Sequence, residues 1–317
     1  MEYRNLGRSG LQVSLVGLGC NNFGQRCDET QTAAVVHKAL ELGVTLFDTA
    51  DIYGPRGLSE EYLGKALEGR RQEVVIATKF VGPMGEGPLM SGASRRYVFE
   101  AVEASLRRLA TDYIDLYQIH FPDARTPIEE TLRALDDLVR PGKVRYAGCS
   151  NFTAWQVVEA QWTARTEHLS PLISAQNQYN LLERRIEIEL VPACTKYGLG
   201  ILPYFPLASG FLTGKYRPGE APPEGTRLAK GGFLAERVMT ERNYETLAKL
   251  ERFAESRAHS MVDLAIGWLA TQPHVASVIA GATKPEQVEQ NVQAASWGLT
   301  AGELAEVDTI TRGDAQR

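Results

Sequence analysis

Residues 74–80, VVIATKF, and 113–121, YIDLYQIHF, decide the fold. Each contains a short aliphatic run of the kind that forms a buried strand, and each run closes on a polar group, Lys79 in the first and His120 in the second. The stretch between them, 94–109, reads as a helix. Ser94 stands where an N-cap belongs, and Val98, Val102, Leu106 and Leu109 share one face. Strand, helix and strand in this order form a βα repeat, and the repeat extends outward in both directions.

Strands are expected at 13–18, 45–47, 74–78, 114–119, 144–148, 172–175, 201–205 and 277–279. Helices are expected at 30–42, 59–67, 94–109, 127–139, 153–164, 186–197, 240–256, 262–270 and 284–295. Thr153 suits an N-cap, Pro127 a first helical position, and Gly43, Gly142 and Gly198 the ends of helices. The first seven strands recur at roughly 30-residue intervals, the length of one βα unit. Eight such units close a (β/α)8 TIM barrel, here expected as a single domain over 1–317 with extra C-terminal helices. An open doubly wound sheet would declare itself by GxGxxG after an early strand. Gly17-Leu18-Gly19 is followed by Cys20 and Asn21, with no helix starting there.

Composition narrows the function. With 34 basic residues against 39 acidic ones, the net charge is -5, which argues against nucleic acid as a partner. The N-terminus lacks the apolar run of a signal peptide, and no stretch approaches the ~18 apolar residues of a membrane span. The four cysteines, Cys20, Cys27, Cys149 and Cys194, form neither a CxxC pair nor a zinc-like cluster. A reducing cytoplasm and no metal are therefore expected.

In such a barrel the chemistry sits where the strands end. Strand two ends in Asp48, with Tyr53 five residues on; strand three ends in Lys79, strand four in His120, strand five in Ser150 and Asn151, strand six in Gln176 and strand seven in Tyr204. Asp48, Tyr53, Lys79 and His120 make a proton-transfer set. A phenol is a poor acid near neutrality, with a pKa of about 10. A nearby ammonium stabilises its phenolate, and a carboxylate keeps that ammonium charged and placed. An imidazole beside the phenol orients a carbonyl oxygen. No Ser or Cys is placed beside His120 as in a nucleophilic triad.

These residues resemble the aldo-keto reductases, in their bacterial, potassium-channel β-subunit-like branch, and the resemblance covers essentially the whole chain. It is carried by FDTADIYG from Phe47, by Lys79 and His120 in the two strands quoted above, by GCSNF at 148–152, by QNQYN from Gln176, by PYFPLASGFLTGKY from Pro203 and by GATKPEQVEQN from Gly281. MEYRNLGRSGLQVS resembles the N-terminal β-hairpin that plugs the barrel in that family. The resemblance implies NADPH-dependent reduction of a small-molecule carbonyl substrate, with Tyr53 as general acid, Lys79 and Asp48 lowering its pKa, and His120 orienting the carbonyl. It places Ser150, Asn151 and Gln176 at the nicotinamide carboxamide and Tyr204 against the ring. Leu207, Ser209 and Lys215 fall at the pyrophosphate, and Gln287 and Asn291 at the adenine. Where many members carry Lys, Ser and Arg against the 2′-phosphate, this chain has Gly281, Ala282 and Gln287. Lys284 is the one cation in that segment and is expected to hold the phosphate, with NADH as the alternative cofactor. Asn21 stands where many members carry Trp, and Phe23, Phe80 and Phe121 are the expected apolar walls of the substrate pocket.

Three other readings remain open at this level: an NADPH-binding, redox-sensing regulatory subunit, an NAD-linked alcohol dehydrogenase working oxidatively, and a barrel enzyme using Lys79 as a Schiff base. A lysine paired with Asp48 stays protonated, which opposes the last. The Pro- and Gly-rich stretch 217–240 is expected to be an irregular flap over the cofactor. The chain is expected to act as a monomer or homo-oligomer.

Overall fold

The computed structural model describes residues 1–312. The chain opens with an antiparallel hairpin, β1 (Tyr3–Asn5) and β2 (Gln12–Ser14). Eight parallel strands follow: β3 (Val16–Gly19), β4 (Leu46–Asp48), β5 (Val75–Phe80), β6 (Ile114–Ile119), β7 (Val144–Ser150), β8 (Leu172–Gln178), β9 (Gly200–Tyr204) and β10 (Val278–Gly281). They pair in chain order, and β10 returns to pair with β3. The last seam is held where the Ile201 amide donates to the His274 carbonyl at 3.0 Å and the Ala276 amide donates to the Ile201 carbonyl at 2.9 Å. The expected (β/α)8 barrel is thus formed.

Helices α1 (Glu29–Glu41), α2 (Leu58–Ala66), α3 (Arg95–Arg108), α4 (Ile128–Val139), α5 (Ala154–Thr166) and α6 (Leu190–Tyr197) alternate with the strands. α7 (Phe233–Val238), α8 (Glu241–Glu255) and α9 (Met261–Thr271) precede β10; α10 (Pro285–Ala294) and α11 (Ala301–Arg312) follow it. Ser94 caps α3 by accepting from the Tyr97 amide, and Thr153 forms a capping box with Gln156. Pro127 is the cap of α4 rather than its first residue.

Three elements depart from expectation. The stretch 13–18 is two strands, broken at Leu15. Ser14 causes the break: its hydroxyl donates to the Val16 carbonyl at 2.7 Å and accepts from the Thr45 amide at 2.9 Å, which turns the chain from hairpin into barrel. α6 starts at Leu190 rather than 186, because Pro192 has no amide hydrogen and is tolerated only in a first turn. The stretch 217–240 contains a short helix, α7, instead of running irregularly throughout.

Along each strand, side chains alternate between the barrel interior and the surrounding helices. Leu46, Val75, Ala77, Leu116, Leu202 and Ile279 fill the interior, joined from below by Leu6 and Val13 of the hairpin. Phe47, Ile76, Phe80, Tyr117 and Ile119 face outward into the layer beneath the helices. Thr78 also faces outward, donating to the buried Glu60 carboxylate at 2.5 Å; Arg108 Nε donates to the same carboxylate at 2.7 Å. This pair ties α2 and α3 to β5.

The hairpin seats on the bottom of β9. Gly7 is left-handed, at φ +62°, and a Cβ there would lie 2.3 Å from the Gly198 carbonyl oxygen. Gly7→Ala should therefore cost about 2 kcal/mol, read as a lower urea midpoint at unchanged slope. An unchanged midpoint would show that the plug contributes nothing to stability.

Candidate active site

Asp48 ends β4, Lys79 lies next to the end of β5, and His120 follows β6 directly. Tyr53 reaches back from the loop after β4. Lys79 is fully buried, and its ammonium makes three contacts: Asp48 Oδ2 at 2.7 Å, the Thr49 carbonyl at 2.9 Å and the Tyr53 hydroxyl at 3.4 Å. The His120 ring meets the Tyr53 ring edge-on at 5.7 Å between centroids and stacks on Phe121 at 4.3 Å.

The electrostatics follow from burial. Desolvation alone would lower the Lys79 pKa, but attraction to Asp48 and then Tyr53 leaves it raised, so the ammonium persists. Burial pushes the Tyr53 phenol up and outweighs the downward pull of Lys79. The expected lowering by Lys79 is present, yet the phenol stays protonated near neutrality and able to donate. Burial first, and the Lys79 charge second, bring His120 down to about 2, so its imidazole is neutral. Asp51, two residues before Tyr53, is buried, and among the described residues neither carboxylate oxygen has a well-formed hydrogen bond; burial, then the charge of Glu60, push it well up.

Asp48 has further partners. Gln176 Nε2 donates to its Oδ1 at 2.7 Å, and Gln118 Nε2 donates to the same oxygen at 3.3 Å. Gln118 is absent from the sequence-derived set. The signal for it was strand parity: two residues before His120 on β6, it shares the inward face.

Above this group opens a cavity of about 430 Å³. Asp48, Tyr53 and His120 form part of its floor, with Ser150, Asn151, Gln176 and Tyr204 beside them. Asn151 is pre-set: its Nδ2 donates to the His120 carbonyl at 3.0 Å, and its Oδ1 accepts from the Tyr204 hydroxyl at 2.8 Å. Leu207, Ser209, Lys215, Gly281, Gln287 and Asn291 line the rest, and Asn21 and Phe121 stand at its wall.

Of the expected cofactor- and substrate-contacting residues, three do not line the cavity. Phe80 is next to Lys79 on β5, so alternation turns it outward, where it stacks on Tyr117 at 4.7 Å. Phe23 is fully buried in the same outer core. Lys284 is the exposed cap residue of α10 and lies outside the cavity lining. The cations that do line it, besides Lys215, are Arg26 and Arg227. Arg26 donates to the Gly225 carbonyl at 2.9 Å, and Arg227 to Asn22 Oδ1 at 3.1 Å, so the two side chains cross between the loop after β3 and the segment after β9. Burial, and then the charge of Arg26, lower the pKa of Arg227. Neither guanidinium, nor Lys215, pairs with a carboxylate among the described residues.

The segment after Tyr204 makes a cradle. Phe205, Ala208 and Ser209 all have positive φ, and the buried Ser209 hydroxyl has no partner among the described residues. A Cβ on Gly210 would lie 3.2 Å from the Lys215 ammonium. A bare backbone turn, a free hydroxyl and an unpaired ammonium fit a phosphate ester. With the amide- and phenol-lined floor beyond it, the cavity fits a nicotinamide dinucleotide.

Residues 15–312 match the model of the aldo/keto reductase family. Similar proteins include a probable voltage-gated potassium channel subunit beta of Oryza sativa subsp. japonica, 40% identical across 93% of this chain and 91% of the relative. An uncharacterized oxidoreductase of Bacillus subtilis is 38% identical, across 99% and 97%. The L-glyceraldehyde 3-phosphate reductase of Escherichia coli K12 is 37% identical, across 97% and 92%.

The neutral His120 sets a pH dependence. The unfolded chain takes up a proton at this histidine below its ordinary pKa of 6.5, whereas the folded chain does so only near 2. Stability contributed by the neutral ring is therefore complete above that upper value and is lost as pH falls through the window. Between pH 7 and about pH 5, wild type should lose roughly 2 kcal/mol more than His120→Asn, measured by urea unfolding. Parallel losses would show that the ring is protonated in the fold.

Proposed function

The chain belongs to the aldo/keto reductase family and is an oxidoreductase of NAD(P)H-dependent carbonyl chemistry; on that premise we propose that it uses NADPH to reduce an aldehyde or ketone, with Tyr53 as the acid. The observation that carries this reading is the Tyr53 hydroxyl at 3.4 Å from a fully buried ammonium, at the foot of a cavity that fits the cofactor. The bound dinucleotide supplies the hydride.

The chain's own residues do the rest. Neutral His120 donates a hydrogen bond to the carbonyl oxygen and fixes the carbonyl carbon towards the nicotinamide site. As negative charge grows on that oxygen, Tyr53 gives up its proton to it. Lys79 stabilises the phenolate left behind, and Asp48 holds Lys79 in place. Ser150, Asn151 and Gln176 take the carboxamide, and Tyr204 covers the ring. Phe121 and Asn21 border the substrate, so the site admits carbonyl compounds with both an apolar and a hydrogen-bonding side. Arg26 and Arg227 favour NADPH over NADH, since two unpaired guanidiniums facing one cavity suit the extra phosphate better than Lys284 does.

Three measurements test the reading. Absorbance of NADPH, with NADH in parallel, should fall with a panel of aldehydes and ketones, including short hydroxy- and phospho-aldehydes of the kind named in the Escherichia coli relative. Tyr53→Phe should cut turnover by ~10²–10⁴-fold with NADPH affinity unchanged; retention of most activity would exclude Tyr53 as the acid. Arg227→Ala should weaken NADPH about 5- to 30-fold and NADH little, less so in high salt. Equal weakening of both cofactors would place the 2′-phosphate elsewhere.

A further inference from the structure

Gln118 lies opposite Lys79 in the pairing of β5 with β6 and is fully buried. On its other side β6 pairs with β7, where Gln118 faces Gly148. A Cβ on Gly148 would come within 3.2 Å of Gln118 Cγ, so the glycine makes the room in which the glutamine stem runs. The side chain ends at Asp48, where Nε2 donates to Oδ1, while its own Oε1 has no protein partner. A carboxylate only accepts, which fixes the amide with its nitrogen towards Asp48. The orientation that leaves Oε1 unpaired is thus set by the catalytic ion pair, and packing alone does not explain an amide at this position.

We propose that Gln118 is a positioning residue for the reaction: by donating to Asp48 Oδ1 it takes up part of the carboxylate's charge, so that more of the Lys79 charge acts on the Tyr53 hydroxyl. The proposal rests on the reading of Tyr53 as the acid. Asp48 has two ends with different duties. Oδ2 faces the ammonium at 2.7 Å; Oδ1 faces the amides of Gln118 and Gln176. The more negative charge the amides neutralise, the less Asp48 cancels the ammonium as seen from the phenol. Gln176 also lines the cavity, whereas Gln118 does not, so the charge-sharing role alone falls to Gln118. The titratable and charged groups that interact with this pair and with Tyr53 include Cys20 at the exit of β3, His120 at the exit of β6, Asp51 near Lys79, and Tyr204 and Arg227 near Tyr53.

The sign is the same by either route. If Asp48 keeps its full charge, it cancels Lys79 more strongly. If instead it draws the proton from Lys79, the ammonium is lost. In both cases the phenolate of Tyr53 is stabilised less. Gln118→Met keeps the volume and removes the donor; Gln118→Glu keeps the shape and places a second carboxyl against the first.

Tyrosine labelled with carbon-13 at Cζ reports phenolate directly, with the Tyr53 signal assigned by its loss in Tyr53→Phe. At about pH 10.5, the phenolate-to-phenol ratio of Tyr53 should fall roughly threefold in Gln118→Met, and further in Gln118→Glu. In the same variants kcat for carbonyl reduction should fall while the NADPH Kd holds. A lower melting temperature with an unchanged ratio would overturn the proposal and leave Gln118 a packing residue. Should Gln118→Met not fold, the ratio in the near-isosteric Gln118→Glu decides in the same way. The two failures are distinguishable: a shifted Tyr53 ratio without any wild-type turnover on the carbonyl panel would overturn the proposed activity, whereas turnover with an unchanged ratio would overturn the role of Gln118.

Discussion

An ammonium with no exposure to water is what the interior is arranged around. Moving such a charge out of water costs several kcal/mol even after relaxation, and only close, well-directed partners offset it. Lys79 has Asp48 and the Thr49 carbonyl, and those partners exist only when β4 and β5 pair as they do, Asp48 opposite Ala77. A slip of one residue would turn the lysine into the helix layer and Phe80 into the barrel. The same burial that demands partners for Lys79 keeps His120 neutral and Tyr53 protonated. Register, charge and proton inventory are one constraint seen at three scales.

Much of this was legible from residue order. The recurrence of strand and helix gave the barrel, and reading what stands at each strand end brought Asp48, Tyr53, Lys79 and His120 together. What remained hidden had specific causes. Hydrophobicity near the right strand ends favours Phe23 and Phe80 as pocket walls, but strand parity turns Phe80 outward. Gln118 was overlooked because an amide inside a strand carries no motif, and its meaning comes from a carboxylate 70 residues away.

Charge was the harder reading. Lys284 stands in the segment that the family resemblance assigns to the 2′-phosphate, so position along the chain favours it. Arg26 and Arg227 come from two loops far apart in sequence, and only the closed barrel sets them side by side. A loop cation cannot be placed by strand or helix periodicity, since neither period extends through the loop. The segment after β9 was read as irregular for the same reason: its glycines and prolines hide the short α7.

The hairpin under the barrel has a consequence in time. Leu6 and Val13 are synthesised well before Ile173, Leu202 and Ala276, against which they pack. Arg8 donates its amide to the carbonyl of Gly198, made much later. At about 5–20 residues per second, the two are separated by on the order of ten seconds or more. During that interval the hairpin has no seat, and its apolar residues face the ribosome, chaperones or each other. The floor of this barrel is therefore written before its walls and put in place after them.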